Sequence, residues 1–500
     1  MKSFLKSCVF ILTLTLGSLC CFSAQKISKI LPEEEHKIAE LISTRSVAHY
    51  MAGVIYELDG DLEKALEQYS EAYKAEPANI NILYRLGNTQ FRLQKFDEAE
   101  KSFVTATRIF PDKYLAHFLL AMVYDLRGKL EEAETSYKKG ISYAPENLAG
   151  YTGLGSIYVK QGKIDEAIEI YKKALRFYPD DEGLWFKAGL LYAERKERKK
   201  AIEYLSKAVE LNPDWLQSEL MLAVELELDG KFEEAFKFYE KSAELMPSDI
   251  SIYAKLAELS IKIGNFENAE KYYKRLIYLD SDNLENYIAL GTIYLRNNKL
   301  EEALEIIQEG REKNFEVPRL FFLLGIIYFQ MNNNTEAIAA YKRALDLGGN
   351  EDGILYHLGA AYERVGEYEK SVEAFRSVIE NDPGNANACN YLGYLFAEKG
   401  ENLDEAVDLI KEALEKEPAN GAFIDSLGWA YFKQGKLLEA TRALKRAVSI
   451  VKDDPLIIEH LGDVYYERGL KKQAKKQWER SLKFNPDNED LRKKIEKICD

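Results

Sequence analysis

The 500-residue sequence is poor in the residues that build covalent or metal-bound frameworks. It contains five cysteines and five histidines. Three cysteines lie within the first 24 residues, and the other two, Cys389 and Cys499, lie in distant parts of the chain. A disulfide framework is therefore excluded as the basis of the fold. No His-Glu-x-x-His motif occurs, and no two histidines have the spacing of metal ligands or of catalytic residues.

The sequence also lacks a phosphate-binding loop. The Gly153-x-Gly155 pair falls inside a predicted helix, where glycine serves packing rather than nucleotide binding. Acidic pairs such as Glu131-Glu132 fall in the first turn of predicted helices, where carboxylates interact favourably with the helix dipole. The net charge of −15 disfavours binding to nucleic acid. We therefore expect a protein that is not an enzyme, with no catalytic residue, no metal, no cofactor and no nucleic-acid partner.

Long apolar runs are nearly absent, and one unbroken run without charge, Cys8–Phe22, is 15 residues long. This is short for a membrane-spanning helix and typical of the core of a secretory signal. Lys2 and Lys6 precede the run, and the small residues Ser23 and Ala24 follow it. We predict that residues 1–24 are a signal peptide, cleaved after Ser23 or Ala24, and that the protein is exported.

Two alternatives remain for this N-terminal segment. It could stay uncleaved as a membrane anchor, which would associate the protein with a membrane. It could also be lipidated at Cys20 or Cys21. We rank lipidation lower, because Gly17-Ser18-Leu19 before Cys20 departs from the bacterial lipoprotein pattern of a large aliphatic residue followed by two small ones.

A small residue recurs through most of the chain at intervals of 34 residues, with one interval of 35 between Ser371 and Ala406. Such a strict period indicates a repeat architecture, which decides the fold before residue propensities are considered. The thirteen positions are Ala65, Ala99, Ala133, Ala167, Ala201, Ala235, Ala269, Ala303, Ala337, Ser371, Ala406, Ala440 and Ala474.

Other residues keep the same period around this position, which we call the repeat alanine. In most copies a glycine or alanine stands twelve residues before it, a tyrosine nine before, an aromatic residue four after and a proline twelve after. In the first copy these are Gly53, Tyr56, Tyr69 and Pro77. The pattern resembles the tetratricopeptide repeat (TPR), in which a small residue and a tyrosine in a first helix meet Ala-x-x-x-aromatic in a second.

The resemblance implies an all-α fold, a right-handed TPR superhelix (α-solenoid) of thirteen helix-turn-helix repeats over residues 46–488. We expect an N-terminal capping helix within residues 25–45 and a C-terminal capping helix within residues 489–500 to shield the ends of the array. Glycine or asparagine between the two helices of most copies, such as Gly60 and Asn298, is suited to the left-handed conformation that ends a helix.

In TPR arrays the first helices line a concave groove, and here the corresponding positions are rich in aromatic residues. We predict that the first three copies bind a protein or peptide segment in extended or helical form. The alternative is that the rings pack within the array. The candidate partner-binding residues are Tyr50, Tyr84, Asn88, Phe91, Arg92 and Phe118.

The Lys/Asn clamp that some TPR co-chaperones use for a C-terminal carboxylate is not matched, since Tyr84 stands at a lysine position. The stretches Asn390–Tyr394, Asp425–Trp429 and His460–Asp463 resemble exported TPR proteins of Gram-negative envelopes. We therefore expect an interaction scaffold or adaptor in the periplasm or at the outer membrane. The alternatives are a regulatory or targeting subunit of an envelope enzyme, such as a glycosyltransferase or protease, and a structural spacer.

Overall fold

The computed structural model describes residues 33–313 and 316–499, and within these ranges the chain forms 27 helices and no strand. The helices follow one another as thirteen antiparallel pairs and a final single helix, so the predicted all-α TPR solenoid is confirmed. The predicted signal segment, residues 1–24, lies outside the described residues. No helix in the described ranges is both long and apolar enough to cross a membrane.

The first compact unit comprises residues 1–245, and its described part contains six pairs. Consecutive helices pack against each other through the unit. They are α1 (Glu33–Leu58), α2 (Leu62–Ala75), α3 (Ile80–Arg92), α4 (Phe96–Ile109), α5 (Tyr114–Leu126), α6 (Leu130–Tyr143), α7 (Leu148–Lys160), α8 (Ile164–Leu175), α9 (Glu182–Glu194), α10 (Arg198–Leu211), α11 (Leu216–Leu228) and α12 (Phe232–Leu245).

The second compact unit comprises residues 246–500, with seven pairs and the final helix. Its helices are α13 (Ile250–Ile263), α14 (Phe266–Leu279), α15 (Leu284–Arg296), α16 (Leu300–Glu312), α17 (Pro318–Gln330), α18 (Asn334–Asp346), α19 (Glu351–Arg364), α20 (Tyr368–Asn381), α21 (Ala386–Lys399), α22 (Leu403–Lys416), α23 (Gly421–Lys433), α24 (Leu437–Ile450), α25 (Pro455–Glu467), α26 (Lys471–Phe484) and α27 (Glu489–Cys499).

Each pair is held by a contact between a small residue and a ring. The repeat alanine Ala65 is fully buried, and Tyr69, one turn later, reaches across to Gly53 on the first helix. A Cβ atom at Gly53 would lie 2.6 Å from Cε1 of Tyr69, so only glycine permits this approach. Gly325 and Tyr341 repeat the arrangement in the ninth pair, where the corresponding distance would be 2.3 Å.

The turns inside the pairs take the left-handed conformation that the sequence predicts. Gly60 has a φ of +81°, and Asn298 one of +55°. The second and fifth pairs reach the same conformation without glycine or asparagine, at Gln94 and Lys196, both with a φ of +60°. The pairing of the helices thus requires a left-handed residue at this turn. Glycine and asparagine suit this conformation best, but two copies use another residue.

The first and last pairs each carry additional helical residues beyond the repeat. The helix expected within residues 25–45 is continuous with the first helix of the first pair, since α1 runs unbroken from Glu33 to Leu58. No proline falls between these residues to interrupt it. At the other end, α27 packs against the thirteenth pair and buries Leu491 completely, in a cluster with Leu461 and Trp478.

Candidate functional site

Two adjoining cavities lie where the first helices of the ninth, tenth and eleventh pairs, α17, α19 and α21, begin. One cavity, of about 230 Å³, is lined by residues of α17, α19 and the loop before α19: Pro318, Arg319, Phe322, Gly349, Asn350, Gly353 and Ile354. The other, of about 220 Å³, is lined by residues of α19 and the N-terminal end of α21: Asp352, Gly353, Tyr356, His357, Asn385 and Asn387. Gly353 borders both, so the two cavities form one surface, which we call the α17–α21 cleft.

Two glycines give the cleft its depth. Gly349 stands where most copies close with a proline, and the loop passes so close that a Cβ there would lie 2.5 Å from Cδ1 of Ile354. Gly353 faces the open space instead, since the nearest atom to its Cβ position, Cγ of Asn350, is 3.6 Å away. Gly349 thus allows the loop to lie close to Ile354, and Gly353, which has no side chain, leaves the centre of the cleft open.

The floor of the cleft is aromatic. The His357 ring lies edge-on to Phe322 with centroids 5.3 Å apart, and it stacks on Tyr341 at 5.9 Å. The Tyr356 ring meets His357 at 5.5 Å. Burial lowers the pKa of His357, so the imidazole is neutral at pH 7. The floor therefore offers apolar ring surface without a fixed charge.

Polar groups border the floor on both sides. Asn350 and Asn385 cap α19 and α21, accepting hydrogen bonds from the backbone N–H of Gly353 at 3.2 Å and of Ala388 at 3.0 Å. Asp352 accepts a hydrogen bond from Nδ2 of Asn381 at 2.8 Å, and Arg319 pairs with Glu285 at 2.6 Å. Apolar ring surface with a few convergent polar groups is the usual composition of a ligand-binding cleft.

The residues predicted from sequence lie in the first three pairs, in a different unit. Tyr50 is half-buried on Tyr69, with centroids 5.9 Å apart. Tyr84 packs against the buried cluster of Leu83, Ala106 and Ala116, and burial raises its pKa to about 12. Both rings are therefore partly structural, yet each keeps an exposed edge.

The three residues predicted around the end of α3 have different environments. Phe91 is half-buried and lies edge-on to Phe96 at 5.7 Å. Asn88 is half-buried one turn earlier. Arg92 donates a hydrogen bond to Oε1 of Glu57 at 2.9 Å. The guanidinium is thus already paired, and a partner carboxylate would compete with Glu57 for it.

Phe118 belongs to the core. Its side chain is 5% exposed and occupies space left by two glycines. Cβ atoms at Gly140 and Gly150 would lie 2.4 Å and 2.6 Å from the ring. This ring therefore packs within the array, which is the alternative considered for the groove residues, and Phe118 takes no part in the binding surface proposed below.

Sequence reasoning missed a buried polar cluster on α23 and α25. Nδ1 of His460 lies 3.0 Å from Oδ2 of Asp425, and both side chains are buried. Trp429 stacks on the imidazole at 4.0 Å and donates a hydrogen bond from Nε1 to Oε1 of Glu398 at 2.5 Å. Spacing along the chain does not reveal this pair, because the two residues are 35 positions apart and lie at neighbouring positions of successive repeats.

Metal binding finds no support in the part of the chain that the structure describes, which contains no group of three or more His, Cys, Asp or Glu residues able to hold an ion. Cys389 is a free buried thiol, and burial raises its pKa. A buried thiol of raised pKa is an unreactive packing residue.

Comparison with known proteins gives several family matches. Residues 26–249 match the model of the cilia and flagella-associated protein 70 C-terminal domain. Residues 262–344 match the anaphase-promoting complex, cyclosome, subunit 3. Tetratricopeptide repeat models match residues 226–290, 325–366, 356–422 and 395–455. A search of curated proteins finds no match.

Among solved structures, the chain is similar to the anaphase-promoting complex hetero-tetramer Cut9–Hcn1, at 15% identity and a TM-score of 0.43 over 93% of this chain and 99% of that one. It is also similar to MamA, at 29% identity and a TM-score of 0.31 over 33% and 95%. The P58(IPK) TPR domain matches at 23% identity and 0.31 over 79% and 98%.

The family matches agree with the 34-residue period and with the thirteen helix pairs of the fold. Repeat models of one family cover most of the second unit and reach into the first. The chain belongs to the tetratricopeptide repeat family.

Proposed function

We propose that the protein is a non-catalytic interaction scaffold that binds a peptide segment of another protein in the α17–α21 cleft. TPR repeats generally serve as protein-interaction modules, which supports the coarser part of this proposal. The observation that carries the finer part is the pair of adjoining cavities around Gly353. The half-buried rings of Phe322 and Tyr356 supply large contact area at low entropic cost.

The cleft suits a segment that inserts an apolar side chain beside Phe322 and Ile354 and passes its backbone over Gly353. The absence of a side chain at Gly353 lets that backbone approach α19 closely. Asn387 is exposed at the edge, where its amide can donate to a peptide carbonyl or accept from a peptide N–H. The ring floor would then provide affinity, and the bordering amides would fix the direction of the segment.

Filling the cleft from within tests this proposal. In Gly353→Leu the new side chain projects into both cavities, and a Cβ at this position meets only ordinary contacts. A peptide selected from a phage-displayed library on the full chain, measured by fluorescence anisotropy, should bind the variant at least about tenfold more weakly. The melting temperature should not fall, because leucine favours a helix more than glycine does.

Gly183→Leu is the matched control. Gly183 stands 18 residues before its repeat alanine, as Gly353 does, but lies on α9 in the other unit. It should leave peptide affinity unchanged. Equal affinities of parent and Gly353→Leu for every selected peptide would show that the cleft is not the binding site.

A second contact surface is proposed on the first unit, from Tyr50, Tyr84, Asn88, Phe91 and Arg92. Its support is the exposed edges of the half-buried rings and their succession on α1 and α3. With the Glu57–Arg92 pair at its border, this surface would accept a segment of mixed polarity. Selected peptides that survive Gly353→Leu unchanged would be tested next against Tyr84→Ala.

We also propose that the protein acts after export, in assembly at the bacterial envelope, in the periplasm or at the outer membrane. The support is the sequence of residues 1–24 alone: Lys2 and Lys6, the charge-free run Cys8–Phe22, and Ser23-Ala24. N-terminal sequencing of protein expressed in a bacterial host should give Ala24 or Gln25. An intact Met1 would contradict cleavage, and its recovery with membranes would favour the anchor.

A further inference from the structure

Residues 436–500 carry a net charge opposite in sign to that of the whole chain. They contain 16 basic and 12 acidic residues, whereas the whole chain contains 68 basic and 83 acidic residues. The basic excess is concentrated on α26 (Lys471–Phe484), which carries six basic residues and a single acidic one, Glu479. A positive segment in a negatively charged chain indicates a contact surface for an anionic partner.

The first turn of α26 is basic, which does not favour a helix. Lys471 and Lys472 occupy this turn, the preceding Leu470 provides no side-chain cap, and no acidic residue is present there. Positive side chains near a helix N-terminus interact unfavourably with the helix dipole. Nine other copies instead carry an acidic residue at the position of Lys472, two residues before the repeat alanine: Glu63, Asp97, Glu131, Asp165, Glu233, Glu267, Glu301, Glu369 and Asp404. The lysines thus lower the stability of α26, which indicates a role other than folding.

The charges on α26 are also not neutralised by neighbouring side chains. The second helix α10 begins with basic residues too, but there Glu197 precedes them and pairs with Lys200 at 2.7 Å. On α26, four lysines have no ion pair with any residue that the structure describes: Lys471, Lys472, Lys476 and Lys483. Their charges are therefore available to a partner.

Three of these lysines lie along the outer side of α26. At 3.6 residues per turn, Lys472, Lys476 and Lys483 fall within about 40° of one another and span about 16 Å of the helix. All three are exposed, and they lie opposite Ala474 and Trp478, which are buried. A row of charges that projects away from the packed side of the helix can meet a flat surface.

The preceding second helix, α24, extends this positive surface. Its residues Arg442 and Lys445 are exposed and hold the repeat positions of Lys476 and Glu479. Both α24 and α26 pack against α25. We call the outer sides of these two helices the basic face, which comprises Arg442, Lys445, Lys472, Lys476 and Lys483.

The composition of the basic face favours a charged surface over a folded protein as the partner. Protein interfaces are depleted in lysine and are anchored by arginine and aromatic residues. On α26, Arg480 already donates a hydrogen bond to the backbone carbonyl of Lys452, and the ring of Trp478 is buried. Exposed lysines act through their charge, and an anionic bilayer attracts each of them without a shaped contact.

We propose that the basic face binds the surface of a bilayer that contains anionic phospholipids. The lysine ammonium groups lie near the head-group phosphates, and each lysine raises the partition coefficient about fivefold. The association is reversible and weakens as salt screens the charges. It involves neither the α17–α21 cleft nor residues 1–24, so it is independent of the functions proposed above.

Cosedimentation of the full chain with sucrose-loaded vesicles tests this proposal. The parent should bind vesicles of phosphatidylcholine with about 30% phosphatidylglycerol, and this binding should fall steeply between about 0.1 M and 0.5 M NaCl. The triple variant Lys472→Gln, Lys476→Gln and Lys483→Gln should bind these vesicles about a hundredfold more weakly. Any binding to vesicles of phosphatidylcholine alone, which residues 1–24 would cause, should be equal in parent and variant.

A second triple variant is the matched control. Lys101→Gln, Lys199→Gln and Lys237→Gln remove the same charge from exposed lysines at the repeat positions of Lys472 and Lys476, but on three helices of the first unit. Binding to the anionic vesicles should stay within about threefold of the parent, because these charges are scattered and screened.

Reversal of one charge separates a binding role from a structural one. Lys472→Glu restores the acidic residue that most copies carry, so the melting temperature without vesicles should not fall, whereas binding to the anionic vesicles should weaken at least about tenfold. Equal binding of the parent to neutral and anionic vesicles, or an equal loss of binding in both triple variants, would overturn the proposal. Stronger binding to polyglutamate or to duplex DNA than to anionic vesicles, at equal concentrations of negative charge, would overturn the assignment to lipid.

Discussion

At the scale of single residues, this protein is organised by contacts between a glycine on one helix and a ring on its partner. Gly87 with Phe103, Gly155 with Tyr171 and Gly462 with Trp478 all leave less than 3 Å for a Cβ atom. Such positions are intolerant of even one methyl group, because both backbones are fixed by their helices.

Gly325→Ala should therefore lower stability even though alanine is the better helix former. Its Cβ would lie 2.3 Å from Cε1 of Tyr341, which is fully buried. Overpacking costs about 1–3 kcal/mol, against a gain of about 1 kcal/mol in helix propensity. Gly353→Ala, whose Cβ has ordinary contacts, should raise the melting temperature instead. If both variants shift the melting temperature in the same direction, the contact between Gly325 and Tyr341 is not as close as the structure shows.

At the residue scale, the repeat pattern predicts which positions pack between helices but not which rings are buried. The period correctly predicts which residues face the partner helix, because that choice depends only on the helical repeat. It does not separate Tyr84 from Phe118, which hold the same repeat position. Phe118 is buried because Gly140 and Gly150, on two other helices, leave room for its ring. That room depends on three helices at once, which a pattern within one repeat does not contain.

At the scale of elements, the helix pairs follow the sequence closely because each is specified locally. The turn residues, the repeat alanine and the following ring all lie within one copy. The α17–α21 cleft was not predicted, because it requires three successive copies and the replacement of a closing proline by Gly348-Gly349. The extra residue of the eleventh copy falls in the turn between α21 and α22, where Gly400 and Asn402 are both left-handed.

The helices expected to cap the two ends of the repeats differ in how they pack. Leu491 on α27 is fully buried, so this helix closes the thirteenth pair as a capping helix does. Lys494 strengthens the closure, with ion pairs to Glu459 at 2.8 Å and Asp463 at 2.9 Å. The helix expected to cap the first pair instead extends α1. The second unit is thus closed after its last pair by the chain itself.

At the scale of the whole molecule, consecutive helices pack against each other within each of the two compact units. Clusters such as the one joining Tyr341, Leu358 and Tyr362 link adjacent pairs. The interior of each unit thus consists of successive interfaces between neighbouring pairs. Stability in such an array is approximately a sum of repeat and nearest-neighbour terms.

Damage to one interface should therefore remain local, and Gly325→Ala allows a direct test. Hydrogen exchange should quicken in α17 and α18 and in the adjoining helices α16 and α19, because their shared packing is strained around Tyr341. Exchange in α2 to α6, far along the chain, should match the parent under native conditions. Gly353→Ala, measured in parallel, should quicken exchange nowhere. A comparable loss of protection in α2 to α6 would mean that the chain unfolds as one cooperative body, and the neighbour-by-neighbour account of its stability would have to be abandoned.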